Sequence, residues 1–175
     1  IMVPDALNAY QQIAHAYRMA QKNIKVIAIT GSNGKTSTKD LIAACLAKKY
    51  KVVKTQANFN NEIGLPKTLL TIKPDTEVVV VEMGMRGFGQ IRDLKELAEP
   101  DAVVITNVGE THMELLGSME NIAKAKSGIL ENMNEQQVAV LNNDDIYVSK
   151  MSTSAGKLTY GIINDSSVCA SNVIT

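Results

Sequence analysis

Apolar runs of four residues recur along the chain, at Val26-Ile27-Ala28-Ile29, Val78-Val79-Val80-Val81, Ala102-Val103-Val104-Ile105 and Val138-Ala139-Val140-Leu141, with helical patterns between them. Runs that are apolar throughout, rather than alternating, suit strands buried on both faces, and intervening helices make those strands parallel. The expected fold is α/β: a mostly parallel sheet with helices on both faces. The reading places strands at 25–30, 51–55, 77–82, 102–107 and 138–142, and helices near 5–22, 35–49, 61–71, 89–98, 118–131 and 144–152. Ser118, with Glu120 in the first turn and Asn121 after it, is a suitable helix start, and Pro100-Asp101 marks the turn into the fourth strand. The tail 157–175 holds two strand-like pieces whose partners are expected from further chain.

The first run leads directly into Gly31-Ser32-Asn33-Gly34-Lys35-Thr36-Ser37, and a helical pattern follows. A glycine-rich turn between a buried strand and a helix aims successive backbone N–H groups at an anion, where the helix dipole also favours negative charge. In such a nucleotide-binding P-loop, Lys35 reaches the outer phosphates and the Thr36 hydroxyl serves Mg²⁺. The general pattern wants a glycine at position 29, where this chain has Ile29, so the loop is a shortened variant. The bland alternative, an ordinary βα turn with a solvated lysine, does not explain why two glycines, Asn33 and two hydroxyls crowd one turn.

Ligands of open parallel sheets bind at the carboxyl ends of the strands, and here those ends are polar. The third strand ends in Glu82-Met83-Gly84-Met85-Arg86-Gly87, the fourth in Thr106-Asn107-Val108-Gly109-Glu110-Thr111-His112, and the second leads to Asn58-Phe59-Asn60-Asn61-Glu62. A carboxylate directly after Val78–Val81 is where such a sheet places a Mg²⁺ ligand, which makes Glu82 the candidate; a solvated strand-end glutamate is the alternative. His112, beyond a strand end, is a metal or phosphate candidate or a hydrogen-bonded loop histidine. Eighteen basic residues are scattered among eighteen acidic ones, and five tyrosines and two phenylalanines are the whole aromatic complement, so no nucleic-acid partner is indicated. Cys45 and Cys169 match no metal or redox motif, and no apolar run is long enough to span a bilayer. A cytoplasmic monomer with no membrane partner is the expectation.

Thr30-Gly31-Ser32-Asn33-Gly34-Lys35-Thr36, Asn60-Asn61-Glu62-Ile63-Gly64-Leu65-Pro66, Glu82-Met83-Gly84, Thr106-Asn107-Val108-Gly109 with His112, and Ala125-Lys126 resemble, in order, the motifs of the Mur ligase central domain, over about residues 24–145. Asn58–Gly64 and Glu82–Gly87 look most like the members that join D-alanyl-D-alanine to UDP-N-acetylmuramoyl-tripeptide. The resemblance implies ATP and Mg²⁺ as cofactors. Gly31 through Ser37 would form the nucleotide loop, Thr36 and Glu82 would hold the first Mg²⁺, and Glu82, His112 and a carboxylated Lys126 would serve a second. Asn60, Asn61 and Arg86 would face the acceptor nucleotide-peptide, and an acyl phosphate would be the intermediate. Residues 1–23 would be a linking segment and helix, and 24–175 the ATP-binding domain, continuing past residue 175. A uridine-nucleotide domain would precede it and a C-terminal domain follow.

Two positions depart from the family pattern. Ser37 replaces a common threonine and keeps its hydroxyl, whereas Gly128 stands where a glutamate commonly follows the lysine by two. From spacing alone both Lys124 and Lys126 read as surface residues of one helix; the family pattern singles out Lys126. The alternative functions are another Mur-type or folylpolyglutamate-type amino-acid ligase, against which the Asn60-Asn61-Glu62 loop argues, and a non-catalytic nucleotide-binding module.

Overall fold

The computed structural model describes residues 2–173. In chain order the elements are α1 (Ala6–Ala20), β1 (Lys25–Thr30), α2 (Lys35–Leu46), β2 (Val52–Lys54), α3 (Gly64–Leu69), β3 (Val78–Glu82), α4 (Gln90–Ala98), β4 (Ala102–Ile105), α5 (Met113–Leu116), α6 (Met119–Ser127), β5 (Val138–Asn142), β6 (Gly156–Gly161) and β7 (Val168–Cys169). Short 3-10 turns lie at Gly128–Leu130 and Val148–Lys150. The strands form one sheet in the order β2-β3-β1-β4-β5-β6-β7, every pair parallel. The chain winds to one side of β1 through β2 and β3, and to the other through β4 to β7. The carboxyl ends of β1, β3 and β4 therefore open onto the crevice where winding reverses, the place such sheets bind ligands.

Each central strand feeds two cores. Val26 and Ala28 of β1, Val79 and Val81 of β3, and Val103 and Ile105 of β4 face a large apolar cluster completed by Leu65 and Leu69 of α3, Ile91 and Leu94 of α4, and Ile122 of α6. The alternate residues Ile29, Val78, Val80 and Val104 face a smaller cluster closed by Ala43, with Ile42 and Leu46, all from α2. This two-sided burial is why the runs are apolar without alternation. Among the described residues no helix is long and apolar enough to cross a membrane.

Three expectations are corrected. The tail finds its partners within the chain itself, since β6 pairs with β5 and β7 with β6, although β7 is only two residues long; Ile174 and Thr175 of the second piece lie outside the described residues. The helix expected at 144–152 is only the turn Val148–Lys150. Its first residues are claimed by side chains: Asp145 accepts from the backbone N–H groups of Tyr147 and Val148, and Asp144 from those of Ile162 and Asn164. Such local bonds compete with a helix ladder. The helix expected to run to 131 ends at Ser127, capped at its start by Ser118, whose hydroxyl accepts from the Asn121 N–H at 3.2 Å, as the sequence suggests.

Helix α1 is tied to α4 by Arg18. Its Nε donates to the Ala98 carbonyl at 3.1 Å and its Nη2 to the Glu99 carbonyl at 3.2 Å, satisfying acceptors at the end of α4, where Glu99 turns left-handed at φ 43°. Arg18 is 8% exposed, so these bonds are shielded from water. Arg18→Ala should lower unfolding stability by about 2 kcal/mol in urea denaturation, the usual worth of hydrogen bonds from a charged donor. Arg18→Lys should recover less than half, because an ammonium cannot reproduce the planar fork.

Candidate functional site

The loop between β1 and α2 takes its shape from two glycines. Gly31 has φ 148° and Gly34 φ 78°, and a Cβ on Gly31 would lie 1.9 Å from the Thr106 hydroxyl oxygen. Glycine is required at 31 for space and conformation together. The first i→i−4 bond of α2 runs from the Thr38 N–H to the Gly34 carbonyl at 2.9 Å. The N–H groups of Gly34, Lys35, Thr36 and Ser37 precede that ladder, which is the unpaired set a helix start offers an anion. Lys35 folds over the same loop, its Nζ donating to the carbonyls of Gly31 at 2.9 Å and Ser32 at 3.0 Å. Burial lowers the Lys35 pKa, opposed by the charge of Glu82.

The segment after β4 clamps this loop. The Thr106 hydroxyl and the Asn107 Nδ2 both donate to the Asn33 carbonyl, at 2.6 and 3.0 Å, while the Asn107 Oδ1 accepts from the Asn33 N–H at 2.9 Å. Ser32 is held in turn: its N–H donates to the Asn107 carbonyl, its hydroxyl donates to the Gly109 carbonyl, and the Gly109 N–H and Thr111 hydroxyl donate to its oxygen. Asp145, beyond β5, steadies the clamp by accepting from the Val108 N–H at 2.9 Å.

Glu82 ends β3 only 2% exposed. Its Oε2 accepts from the Thr36 hydroxyl at 2.8 Å and its Oε1 from the Asn60 Nδ2 at 2.8 Å, while its N–H donates to the Thr55 hydroxyl. All these hydrogen-bond partners are neutral, so a buried carboxylate stands beside a hydroxyl oxygen at the mouth of the anion loop. That donor set fits Mg²⁺, a hard cation that takes one or two protein oxygens and completes its shell with water and phosphate. Among the described residues no group of three His, Cys, Asp or Glu side chains is placed to hold a metal by itself.

His112 and Lys126 line the same cavity, of about 340 Å³, with Gly31, Ser32, Lys35 and the loop 58–62. His112 sits at φ 59° just ahead of α5, an uncommon conformation that turns the chain into the short helix. Lys126 is 3% exposed, whereas Lys124 faces solvent. The Lys126 pKa is pushed down to about 8, first by burial and then by the charge of Lys35. Gly128 backs this helix onto α4, where a Cβ would come 3.3 Å from the Arg92 backbone nitrogen, so a side chain there would fit only if the two gave way by a few tenths of an ångström.

The remaining sequence candidates divide. Asn60, Asn61 and Arg86 line the cavity, Asn61 and Arg86 exposed at its rim; Thr36 and Glu82 meet at the end of the loop; Ser37 is exposed on the first turn of α2. The sequence reading gave no role to Asn107, Thr106 or Asp145, nor to Gln90, whose Oε1 accepts from the Arg86 and Gly87 N–H groups. A polar residue at each strand end was the available signal. A larger groove of about 490 Å³ between α1 and α4, lined by Gln12, His15 and Leu97 among others, shares Glu62 with that cavity but holds none of residues 31–37, so it is not the phosphate site.

The family profile described as the Mur ligase middle domain matches residues 29–174. The UDP-N-acetylmuramoyl-tripeptide–D-alanyl-D-alanine ligase of Bacillus subtilis (strain 168) is 48% identical over 161 residues, 92% of this chain and 35% of that protein. A crystal structure of MurF from Acinetobacter baumannii matches with a TM-score of 0.94 at 28% identity, over 98% of this chain and 38% of that one. The MurF ligase of Thermotoga maritima in complex with ADP matches with a TM-score of 0.85 at 31% identity, over 94% of this chain and 38% of that one. The chain spans about a third of the length of the curated relatives it matches.

Lys126 gives the site a pH signature. Its folded pKa of about 8 lies below the ordinary 10.5, so between those values the unfolded chain binds more protons and stability rises with pH. Urea denaturation at pH 7.5 and 9.5 should show that rise, and Lys126→Met should remove most of it.

Proposed function

The chain belongs to the Mur ligase family, and on that premise we propose that it is the ATP-binding core of an enzyme joining D-alanyl-D-alanine to UDP-N-acetylmuramoyl-tripeptide. The observation that carries the reading is an open helix N-terminus with Lys35 folded over its loop and the neutral-partnered carboxylate of Glu82 bonded to Thr36 on its first turn. The B. subtilis relative bears that activity in its name, and the T. maritima structure holds ADP. The enzyme acts as a cytoplasmic monomer.

A carboxylate accepts an amine poorly until it is activated. In this reading the N–H groups at the start of α2 and the Lys35 ammonium receive the phosphates, and an acceptor carboxylate oxygen attacks the γ-phosphorus as the bond to ADP breaks. The dipeptide amine then attacks the acyl carbon, the C–N bond forms, and inorganic phosphate leaves. Thr36 and Glu82 would hold Mg²⁺, which would neutralise phosphate charge there. Asn61 and Arg86 at the rim face the acceptor. Lys126 can carry a carboxylate group because a lowered pKa leaves part of it as the neutral amine that CO₂ requires. With His112 it would serve the second Mg²⁺, where a bare ammonium would repel the cation.

In the full-length protein, steady-state ADP release over many turnovers should require both tripeptide nucleotide and D-alanyl-D-alanine, and Lys35→Ala should reduce it at least a thousandfold with the fold intact. ADP release that ignores the dipeptide would overturn the reading. Carbon-13 bicarbonate should add a carbamate signal to the NMR spectrum that disappears in Lys126→Gln.

A further inference from the structure

The link between Asn60 and Glu82 goes beyond an acceptor contact. The side chain of Asn60 is not presented freely to the cavity: its Nδ2 donates to Glu82 Oε1 at 2.8 Å. Its backbone is fixed on both sides, the N–H donating to the Asn58 carbonyl at 2.8 Å and the carbonyl accepting from the Gly84 N–H at 2.7 Å. Gly84 allows this approach, since a Cβ there would lie 2.9 Å from Asn60 Oδ1 and 3.0 Å from its Cγ. Gly84 is not among the positive-φ glycines, so the need at this position is for room. Farther along, a Cβ on Gly64 would come 2.4 Å from the Phe59 Cα, so two glycines make room for the loop 58–62.

The terminal torsion of a glutamate is broad and roughly two-fold, so a carboxylate plane keeps its orientation only when both oxygens are restrained. Thr36 restrains Oε2, and Asn60 supplies the side-chain restraint on Oε1. We propose that Asn60 is a positioning residue that fixes the Glu82 carboxylate plane so that Oε2 stays turned toward Thr36, coupling the loop 58–62 to the cation-holding pair. The proposal rests on the reading of Thr36 and Glu82 as Mg²⁺ ligands. Without the amide, Oε1 of a carboxylate only 2% exposed loses its side-chain partner, and the carboxylate rotates away from Thr36 to recover one. Gly84→Ala imposes the same loss by steric pressure while leaving the chemistry of Asn60 and Glu82 unchanged.

The test uses Mn²⁺ with ADP as the probe, bound metal being counted by electron paramagnetic resonance. Asn60→Ala and Gly84→Ala should each raise the Mn²⁺ half-saturation about tenfold, and Asn60→Ala combined with Glu82→Gln should be no worse than Glu82→Gln alone. In the full-length enzyme Asn60→Ala should raise the Mg²⁺ requirement and leave the acceptor KM within twofold. Additive losses, or an acceptor KM that rises while Mn²⁺ binding is unchanged, would overturn the proposal and leave the ligase reading standing. Unchanged Mn²⁺ binding in Glu82→Gln would remove the metal assignment and the proposal together. Proton NMR of the nitrogen-15-labelled parent protein needs no variant to fold: one Asn60 Nδ2 proton should exchange slowly, and exchange as fast as that of exposed asparagines would also defeat the proposal.

Discussion

Two donors from the far side of β1, the Thr106 hydroxyl and the Asn107 carboxamide, occupy the carbonyl of Asn33. Were that carbonyl free, the first turn of α2 could extend backward and take up the Ser37 N–H in an ordinary i→i−4 bond. With it taken, and Gly34 left-handed at φ 78°, the ladder begins at Thr38 and the preceding N–H groups stay available to an anion. The phosphate loop is thus shaped by its neighbour as much as by its own glycines. Register between β1 and β4, with Thr30 beside Ile105, brings the two segments level.

The same logic runs on the other flank of β1. Met83 continues the pairing of β3 by donating its N–H to the Ile29 carbonyl, and the Thr30 hydroxyl donates to the Met83 carbonyl. Glu82 is therefore delivered beside the loop by main-chain pairing. Cation and anion functions come from adjacent strands, and the cavity between them is polar because each strand end must satisfy groups that the sheet leaves open.

The central strands were legible because burial on both faces writes itself as uninterrupted apolar residues; Val138–Asn142 was read to its ends. β6 was harder to place, since Lys157 and Leu158 are exposed at the weakly covered side of the sheet and give no such run. The loop glycines, Lys35 and Glu82 announced themselves through residue type at a strand end. What sequence could not supply was pairing across distance. Asn107 reads as one more polar loop residue until the fold sets it against Asn33, and the two lysines of α6 differ only in the direction the helix turns them. Asp144 and Asp145 look compatible with a helix start and instead bind backbone that the sequence gives no reason to connect to them.

The clamp also has a consequence in time. Asn33 and Asn107 are 74 residues apart, so on a growing chain the loop is made well before its clamp. At a synthesis rate of about 5–20 residues per second, roughly 4 to 15 seconds separate the two. Through that interval α2 can wind past its final start, and nucleotide in the surrounding solution has nothing formed to hold. A ligand that requires the clamped form of the loop therefore meets it only after translation has passed β4.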